Sequence, residues 1–102
     1  MQIKVSGQRI SVGNSLAEYA QGKAGAAVAK YYEDARGITV AFSKEGGSAF
    51  VLCRILAAAG AGADFSAEAQ DTDAYRAFDL ALGKLESQLA KAKEKNSDRR
   101  HK

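Results

Sequence analysis

The sequence has no proline or tryptophan, only one cysteine, Cys53, and only one histidine, His101. A single cysteine excludes an internal disulfide, which fits a reducing cytosol. No histidine is placed to activate that thiol as a nucleophile, because His101 lies in a polar C-terminal segment. No apolar run approaches the ~18 residues that a membrane helix needs, and the N-terminus begins directly with a strand pattern. We therefore expect a cytoplasmic protein without a secretory signal.

The length and composition are those of one ordered domain. The chain has 102 residues, of which 46% are hydrophobic and 26% are charged. A domain of this size buries enough apolar surface to fold without a metal or a disulfide. We expect a folded domain over residues 1–95 and a solvated tail, or the start of a linker, over residues 96–102.

Positive charge is concentrated at the C-terminal end. The formal net charge is only +3, which alone does not indicate a nucleic-acid partner. From Ala74 onward there are eight basic and four acidic residues, whereas the preceding part has seven basic and eight acidic ones. The C-terminal quarter therefore holds all of the excess positive charge.

Four segments have the alternation of β-strands. They are Gln2 to Ser6, Ile38 to Ser43, Ala49 to Ala58, and Asp64 to Ala69. The third is apolar on both faces apart from Arg54, which is typical of a central strand. Glu45-Gly46-Gly47-Ser48 and Gly60-Ala61-Gly62 predict hairpin turns on either side of it.

Two segments have helical periodicity. The first begins at Asn14 or Ser15, either of which can cap a helix, and runs to about Asp34. Its two glycines, Gly22 and Gly25, each weaken it by ~1 kcal/mol but would allow close packing on a sheet. The second helix runs from about Ala74 to Lys95, with caps available in Asp71-Thr72-Asp73. Its predicted buried stripe consists of Tyr75, Phe78, Leu82, Leu85 and Leu89.

This element order, β-α-β-β-β-α, predicts an α+β fold. The last three strands form an antiparallel meander, and strand one must lie parallel to a neighbour because a helix separates it from strand two. Both helices then cover one face of a four-stranded mixed sheet. The other face is left more open, with small and polar residues such as Thr39, Ala41 and Ser43.

The second helix carries a polar stripe beside its apolar one. Lys84, Gln88, Lys91 and Lys95 are separated by four, three and four residues, so they share one side of a helix. Such a stripe can follow a phosphate backbone, since lysine binds phosphate without reading base identity. An ordinary solvated helix face has the same spacing, so both interpretations stay open.

The first helix offers a matching stripe in Tyr19, Lys23 and Lys30. If the two helices lie side by side, these lysines continue the basic surface. With Arg76 and Lys93, the candidate RNA-binding residues are Lys23, Lys30, Arg76, Lys84, Gln88, Lys91, Lys93 and Lys95.

No arrangement of residues indicates catalysis or a metal. Asp71 and Asp73 are interpreted as helix caps, because the glycine and terminal glutamate of a calcium-binding loop are missing. Cys53 lies in the middle of a strand and is interpreted as a packed thiol. We expect no enzyme activity, no catalytic residue, no metal and no cofactor.

Four segments follow the pattern of a known family. They are Met1-Gln2-Ile3-x-Val5-x-Gly7, Leu16-x-Glu18-Tyr19, Phe42-Ser43-Lys44-Glu45, and the Asp73-x-Tyr75-x-Ala77-x-Asp79 motif that continues into Lys84-Leu85-x-x-Gln88-Leu89-x-Lys91-x-Lys93-x-Lys95. On these residues the chain resembles the ribosome-binding domain of the bacterial ribosome hibernation-promoting factor and ribosome-associated inhibitor family. The resemblance runs from Met1 to about Lys95, and Glu86 and Ser87 stand where members often have more basic or neutral residues.

The resemblance implies a bacterial, cytoplasmic regulator of translation under stress or in stationary phase. Its expected partners are the small ribosomal subunit and its ribosomal RNA, where it would occupy the tRNA and mRNA sites of the decoding region and promote hibernation by steric occlusion. No membrane or small-molecule substrate is expected, and the chain as given is expected to be a monomer. It is either the short type of the family or the N-terminal domain of a longer member. Two other functions stay open, a protein–protein adaptor using the open sheet face and a general double-stranded RNA-binding module.

Overall fold

The computed structural model describes residues 1–44, 47, 49–60 and 63–100, and their side chains except those of residues 60, 63 and 94–100. The elements are β1 (Gln2–Gln8), α1 (Asn14–Tyr31), β2 (Gly37–Lys44), β3 (Val51–Gly60), β4 (Ala63–Asp71) and α2 (Ala74–Arg100). This order is the predicted one, and the α+β fold class is confirmed.

The four strands form one mixed sheet in the order β1-β2-β3-β4. β1 pairs with β2 in parallel, while β2–β3 and β3–β4 are antiparallel. This is the predicted topology, with β3 between two neighbours. Because Phe42 pairs with Cys53, and Cys53 with Ala69, these three side chains share the face of the sheet that the helices cover.

The core lies between that face and the two helices. α1 packs on β1 and β2, while α2 packs on β3 and β4 and also contacts α1. Ile38, Val40 and Phe42 of β2 are buried, as their alternation predicts. Phe78, Leu82, Leu85 and Leu89 of α2 are buried as well, so these four positions of the predicted stripe are confirmed.

The start of α1 differs from the prediction. Gly13, and not Asn14 or Ser15, is the N-cap residue, and no side chain caps the helix. The reason is that the Gly13 carbonyl already accepts the first helical bond, from the Ala17 N–H at 3.0 Å, so Asn14 is within the helix. The prediction of a side-chain cap at Asn14 or Ser15 is therefore wrong.

The end of α1 also differs from the prediction. The helix stops at Tyr31, before the predicted end at Asp34, because Tyr32 adopts an extended backbone with φ −139°. The ring of Tyr32 then lies 5.7 Å from that of Phe65 on β4. Tyr31 and Tyr32 are both half-buried against the core.

The start of α2 agrees with the prediction, and its end differs from it. Asp73 caps the helix through its Oδ1 atom, which accepts a hydrogen bond from the Tyr75 N–H at 2.9 Å. The helical backbone continues to Arg100, five residues beyond Lys95, since no glycine or proline interrupts that segment.

Gly47 belongs to the first of the two predicted hairpin turns. Gly47 has φ +80°, a conformation that favours glycine in a turn. Residues 45, 46, 48, 61 and 62 lie outside the described residues. Among the described helices, none combines the length and apolar character needed to cross a membrane.

Candidate nucleic-acid interface

The candidate RNA-binding residues all lie on the two helices. Lys23 and Lys30 are on α1 and the other six are on α2. Seven of the side chains are exposed: Lys23, Lys30, Arg76, Lys84, Gln88, Lys91 and Lys93. The eighth, that of Lys95, lies outside the described side chains.

Two of these residues hold the outer edge of β4. The ammonium group of Lys84 donates to the carbonyl oxygen of Glu68 at 3.2 Å, and the amide of Gln88 donates to that of Ser66 at 2.7 Å. β4 is an edge strand, so carbonyls on its outer side have no neighbouring strand to bond. The predicted polar stripe of α2 therefore faces β4 at these two positions, where it donates to two backbone carbonyl groups of the edge.

The opposite side of α2 meets α1 through a cluster around Tyr19. The Tyr19 hydroxyl donates to Oδ1 of Asp79 at 2.7 Å. That hydrogen bond raises the pKa of the Tyr19 hydroxyl, and burial and the negative charge of Asp79 act in the same direction. The Tyr19 ring also makes edge contacts with Tyr75, at 5.0 Å between centroids, and with Phe78, at 5.8 Å. This cluster fixes the beginning of α2 against the N-terminal half of α1.

Three lysines lie over tyrosine rings along the same side of the helices. Lys23 Nζ is 5.3 Å from the centroid of Tyr19, and Lys30 Nζ is 5.5 Å from that of Tyr31. Lys93 Nζ of α2 is 5.7 Å from the ring of Tyr32, the residue that ends α1. These distances fall within the ~6 Å range of cation–π attraction, so the rings hold the ammonium groups near the surface.

The contacts also give the relative direction of the helices. Tyr19, near the start of α1, touches the start of α2, whereas Tyr32, at the end of α1, contacts the distant Lys93 of α2. α1 and α2 therefore run side by side in the same direction. We call the surface along this line the interhelical groove. It is bordered by Tyr19, Lys23 and Lys30 of α1 and by Tyr75, Asp79 and Lys93 of α2.

The structure thus divides the candidate residues between two rows. Lys23, Lys30 and Lys93 border the interhelical groove, while Lys84 and Gln88 lie on the β4 side of α2. The helical spacing places Lys91 in the second row as well. Arg76, with its side chain 73% exposed, forms a long 3.8 Å ion pair with Asp71.

One position of the predicted apolar stripe is wrong. Tyr75 is 38% exposed and does not pack under α2. Its ring contacts Tyr19 of α1 instead. Tyr75 and Asp79 are at positions i and i+4 of α2, so they share one side of the helix, and both contact Tyr19 there. Helical spacing places Tyr19 in the lysine stripe of α1 but carries no sign of its contact with Asp79 on α2. The two aspartates of the Asp73-x-Tyr75-x-Ala77-x-Asp79 motif proved to be a helix cap and the partner of Tyr19.

The remaining candidate features among the described residues do not form a catalytic arrangement. Cys53 is fully buried, and burial raises the pKa of its thiol to about 12. The open sheet face has a shallow concavity of about 570 Å³ beside Leu56, and the Arg54–Glu68 ion pair at 3.0 Å lies farther along the same face. Within the described part of the chain, no cluster of three or more histidine, cysteine, aspartate or glutamate residues could hold a metal ion.

Comparison with known proteins identifies the family. The family model described as sigma 54 modulation protein / S30EA ribosomal protein matches residues 3–97. The chain therefore belongs to this family, which confirms the resemblance and supports a ribosome-associated role. The family is of a non-enzymatic kind. No curated protein sequence matches the chain.

Two solved structures share the fold. A ribosomal subunit interface protein from Coxiella burnetii has a TM-score of 0.76 and 23% identity, over 92% of this chain and 99% of that chain. The N-terminal domain of Protein Y from Thermus thermophilus has a TM-score of 0.73 and 26% identity, over 87% of this chain and 96% of that chain. The first match shows a shared fold alone, whereas the second shows similarity in sequence as well as in fold.

Proposed function

We propose that this chain is a translation regulator that binds the decoding region of the small ribosomal subunit and promotes ribosome hibernation. The observation that carries the proposal is the basic surface of the paired helices, because Lys23 and Lys30 of α1 and Lys91 and Lys93 of α2 are all exposed. Membership of the sigma 54 modulation protein / S30EA ribosomal protein family supports a site on the ribosome. In this proposal residues 1–95 act as the binding domain of a cytoplasmic bacterial protein.

The mechanism is steric. Lysine ammonium groups contact RNA phosphates as point charges, which positions the protein without reading the sequence. A compact domain held in the tRNA and mRNA sites excludes both ligands, so no catalytic group or cofactor takes part. The chain is proposed to act as a monomer whose partners are the small subunit and its ribosomal RNA.

The first test is a pair of charge-matched double variants. Lys30→Glu with Lys91→Glu reverses two exposed charges on the helices, whereas Lys4→Glu with Lys44→Glu reverses two exposed charges on strands β1 and β2. Both variants change the net charge equally, so non-specific attraction to RNA is matched. Affinity for purified small subunits is measured over a range of salt concentrations, with thermal unfolding as a control.

Only the helix variant is expected to lose binding. Each phosphate contact contributes a slope of roughly 0.7–0.9 in log K against log salt, so the helix variant should also lose about 1.4–1.8 of that slope. Equal losses in the two folded variants would contradict a helix-side interface. Binding without salt dependence would favour the adaptor that uses the open sheet face.

Competition distinguishes the decoding region from a general RNA site. Bound protein should be displaced by tRNA and mRNA if it occupies their sites. A double-stranded RNA-binding module would instead bind free duplex RNA about as well as the subunit and would resist that competition. This second result would reject the proposed location while leaving RNA binding intact.

A further inference from the structure

The ring of Tyr75 is an exposed aromatic surface on the interhelical groove, beside its lysines. Lysines lie over the rings of the other three tyrosines, and in the described part of the chain no lysine lies over Tyr75. Tyr75 is 38% exposed although it is aromatic, and it lies two residues after the helix cap Asp73. A large exposed aromatic ring beside cationic groups is the arrangement that nucleic-acid-binding proteins use for stacking.

The support beneath this ring is fixed. The backbone N–H of Tyr75 is held by the Asp73 carboxylate at 2.9 Å, and its ring meets that of Tyr19 at 65° with 5.0 Å between centroids. Tyr19 is in turn held by Asp79 at 2.7 Å and packs on the fully buried Phe78. A ring positioned in this way loses little conformational freedom when a ligand binds, which favours affinity.

The charges around the ring favour a nucleotide over an apolar protein surface. Arg76 follows Tyr75 in the chain and has its side chain 73% exposed, while Lys23 lies over the neighbouring Tyr19 ring. Cations near an aromatic ring can contact the phosphates that flank a stacked base. The acidic groups of the cluster have positioning roles within the protein. Asp73 accepts a hydrogen bond from the Tyr75 N–H, Asp79 accepts one from the Tyr19 hydroxyl, and Asp71 pairs with Arg76 at 3.8 Å.

We propose that Tyr75 stacks on an unpaired base of ribosomal RNA, with Arg76 and Lys23 contacting the flanking phosphates. The base must be unpaired, because both faces of a base inside a duplex are covered by its neighbours. This inference rests on the proposed function and adds to it a site that holds one base by its π-face.

The test compares Tyr75→Leu with Tyr75→Phe in the full chain. Leucine keeps an apolar side chain but has no π-face, whereas phenylalanine keeps the ring and loses only the hydroxyl. Stacking on one base is expected to make Tyr75→Leu bind small subunits about 5- to 150-fold more weakly, with Tyr75→Phe near the wild type. The salt slope of Tyr75→Leu should equal that of the wild type, because no charge has been removed. Thermal unfolding checks that both variants fold.

Chemical probing of the RNA bases gives a second readout. The wild type and Tyr75→Phe should protect the same unpaired base of the small subunit, and Tyr75→Leu should leave that base reactive. A folded Tyr75→Leu that binds as tightly as the wild type would overturn the stacking proposal alone, and so would an equal loss in both variants. A wild type that does not bind small subunits at all would overturn the proposed function as well.

Discussion

Alanine substitutions at two helical glycines test the packing of α1 and α2 directly. Gly22 lies within α1 and Gly83 within α2, and a Cβ atom built at either position meets nothing within 4 Å. Glycine in the interior of a helix costs about 0.8–1.0 kcal/mol relative to alanine, chiefly because the unfolded glycine has more freedom to lose. Since the added methyl groups face open space, each substitution should stabilise the protein by about 0.5–1 kcal/mol.

Gly25 supplies the matched contrast in the same helix. A Cβ atom there would lie 2.9 Å from Cδ1 of Ile3, on β1. That methyl group is the far end of a flexible side chain, so it can move, but its displacement offsets part of the gain in helix propensity. Gly25→Ala should therefore stabilise less than Gly22→Ala. This contact also explains the glycine, because α1 approaches β1 closely at Gly25 and not at Gly22.

The assay is thermal and urea unfolding followed by circular dichroism. For a domain of about 100 residues, 1 kcal/mol corresponds to about 4–8 °C, so each favourable substitution should raise Tm by about 2–8 °C. Gly22→Ala and Gly83→Ala lie on different helices, and their effects should add within about 0.5 kcal/mol. A destabilised Gly22→Ala, or a Gly25→Ala more stable than Gly22→Ala, would refute the assignment of these helix faces.

Three further predictions concern stability. Leu85→Ala should cost about 2–5 kcal/mol because the side chain is fully buried, and urea unfolding should show a much smaller cost for Leu80→Ala, which is 48% exposed. Gln88→Leu should cost about 0.5–1.5 kcal/mol in the same assay by removing the 2.7 Å bond to the Ser66 carbonyl, and an unchanged stability would mean that this bond does not hold the edge. Burial raises the pKa of the Cys53 thiol from 9.0 to about 12, so the folded state holds the proton more tightly than the unfolded state. Stability should thus be complete below about pH 9 and fall by about 1.4 kcal/mol per pH unit up to about pH 12, relative to Cys53→Ala, while parallel pH profiles would contradict this.

The sequence predicted the fold because local patterns and tertiary packing agree in most elements. Alternation in β2 marked Ile38, Val40 and Phe42 as one buried face, and the structure buries all three. The start of α1 was not predictable in the same way. Asn14 and Ser15 both have good capping side chains, but the backbone carbonyl of Gly13 accepts the first helical bond. A composition rule for caps cannot distinguish which residue of such a run leaves the helical conformation first.

The candidate interface was predictable only as stripes on single helices. Helical spacing shows that Lys84 and Gln88 share one side of α2, but it does not show which element that side meets. The pairing depends on the angle at which α2 crosses the sheet, and this angle is set by the whole core. For the same reason the spacing placed Tyr75 with the buried residues, although the approach of Tyr19 draws it to the interhelical groove.

The lysines of α2 differ in whether they also stabilise the fold. This difference determines how a loss of binding in each variant is interpreted. Lys84 donates to the Glu68 carbonyl on the sheet edge. A glutamate at that position would bring a carboxylate toward a carbonyl oxygen, so Lys84→Glu removes a hydrogen bond and adds repulsion. A loss of ribosome binding in that variant would therefore combine a weakened fold with a lost phosphate contact. Lys91 lies farther along α2 and is exposed, so its reversal reports on the proposed RNA contact itself.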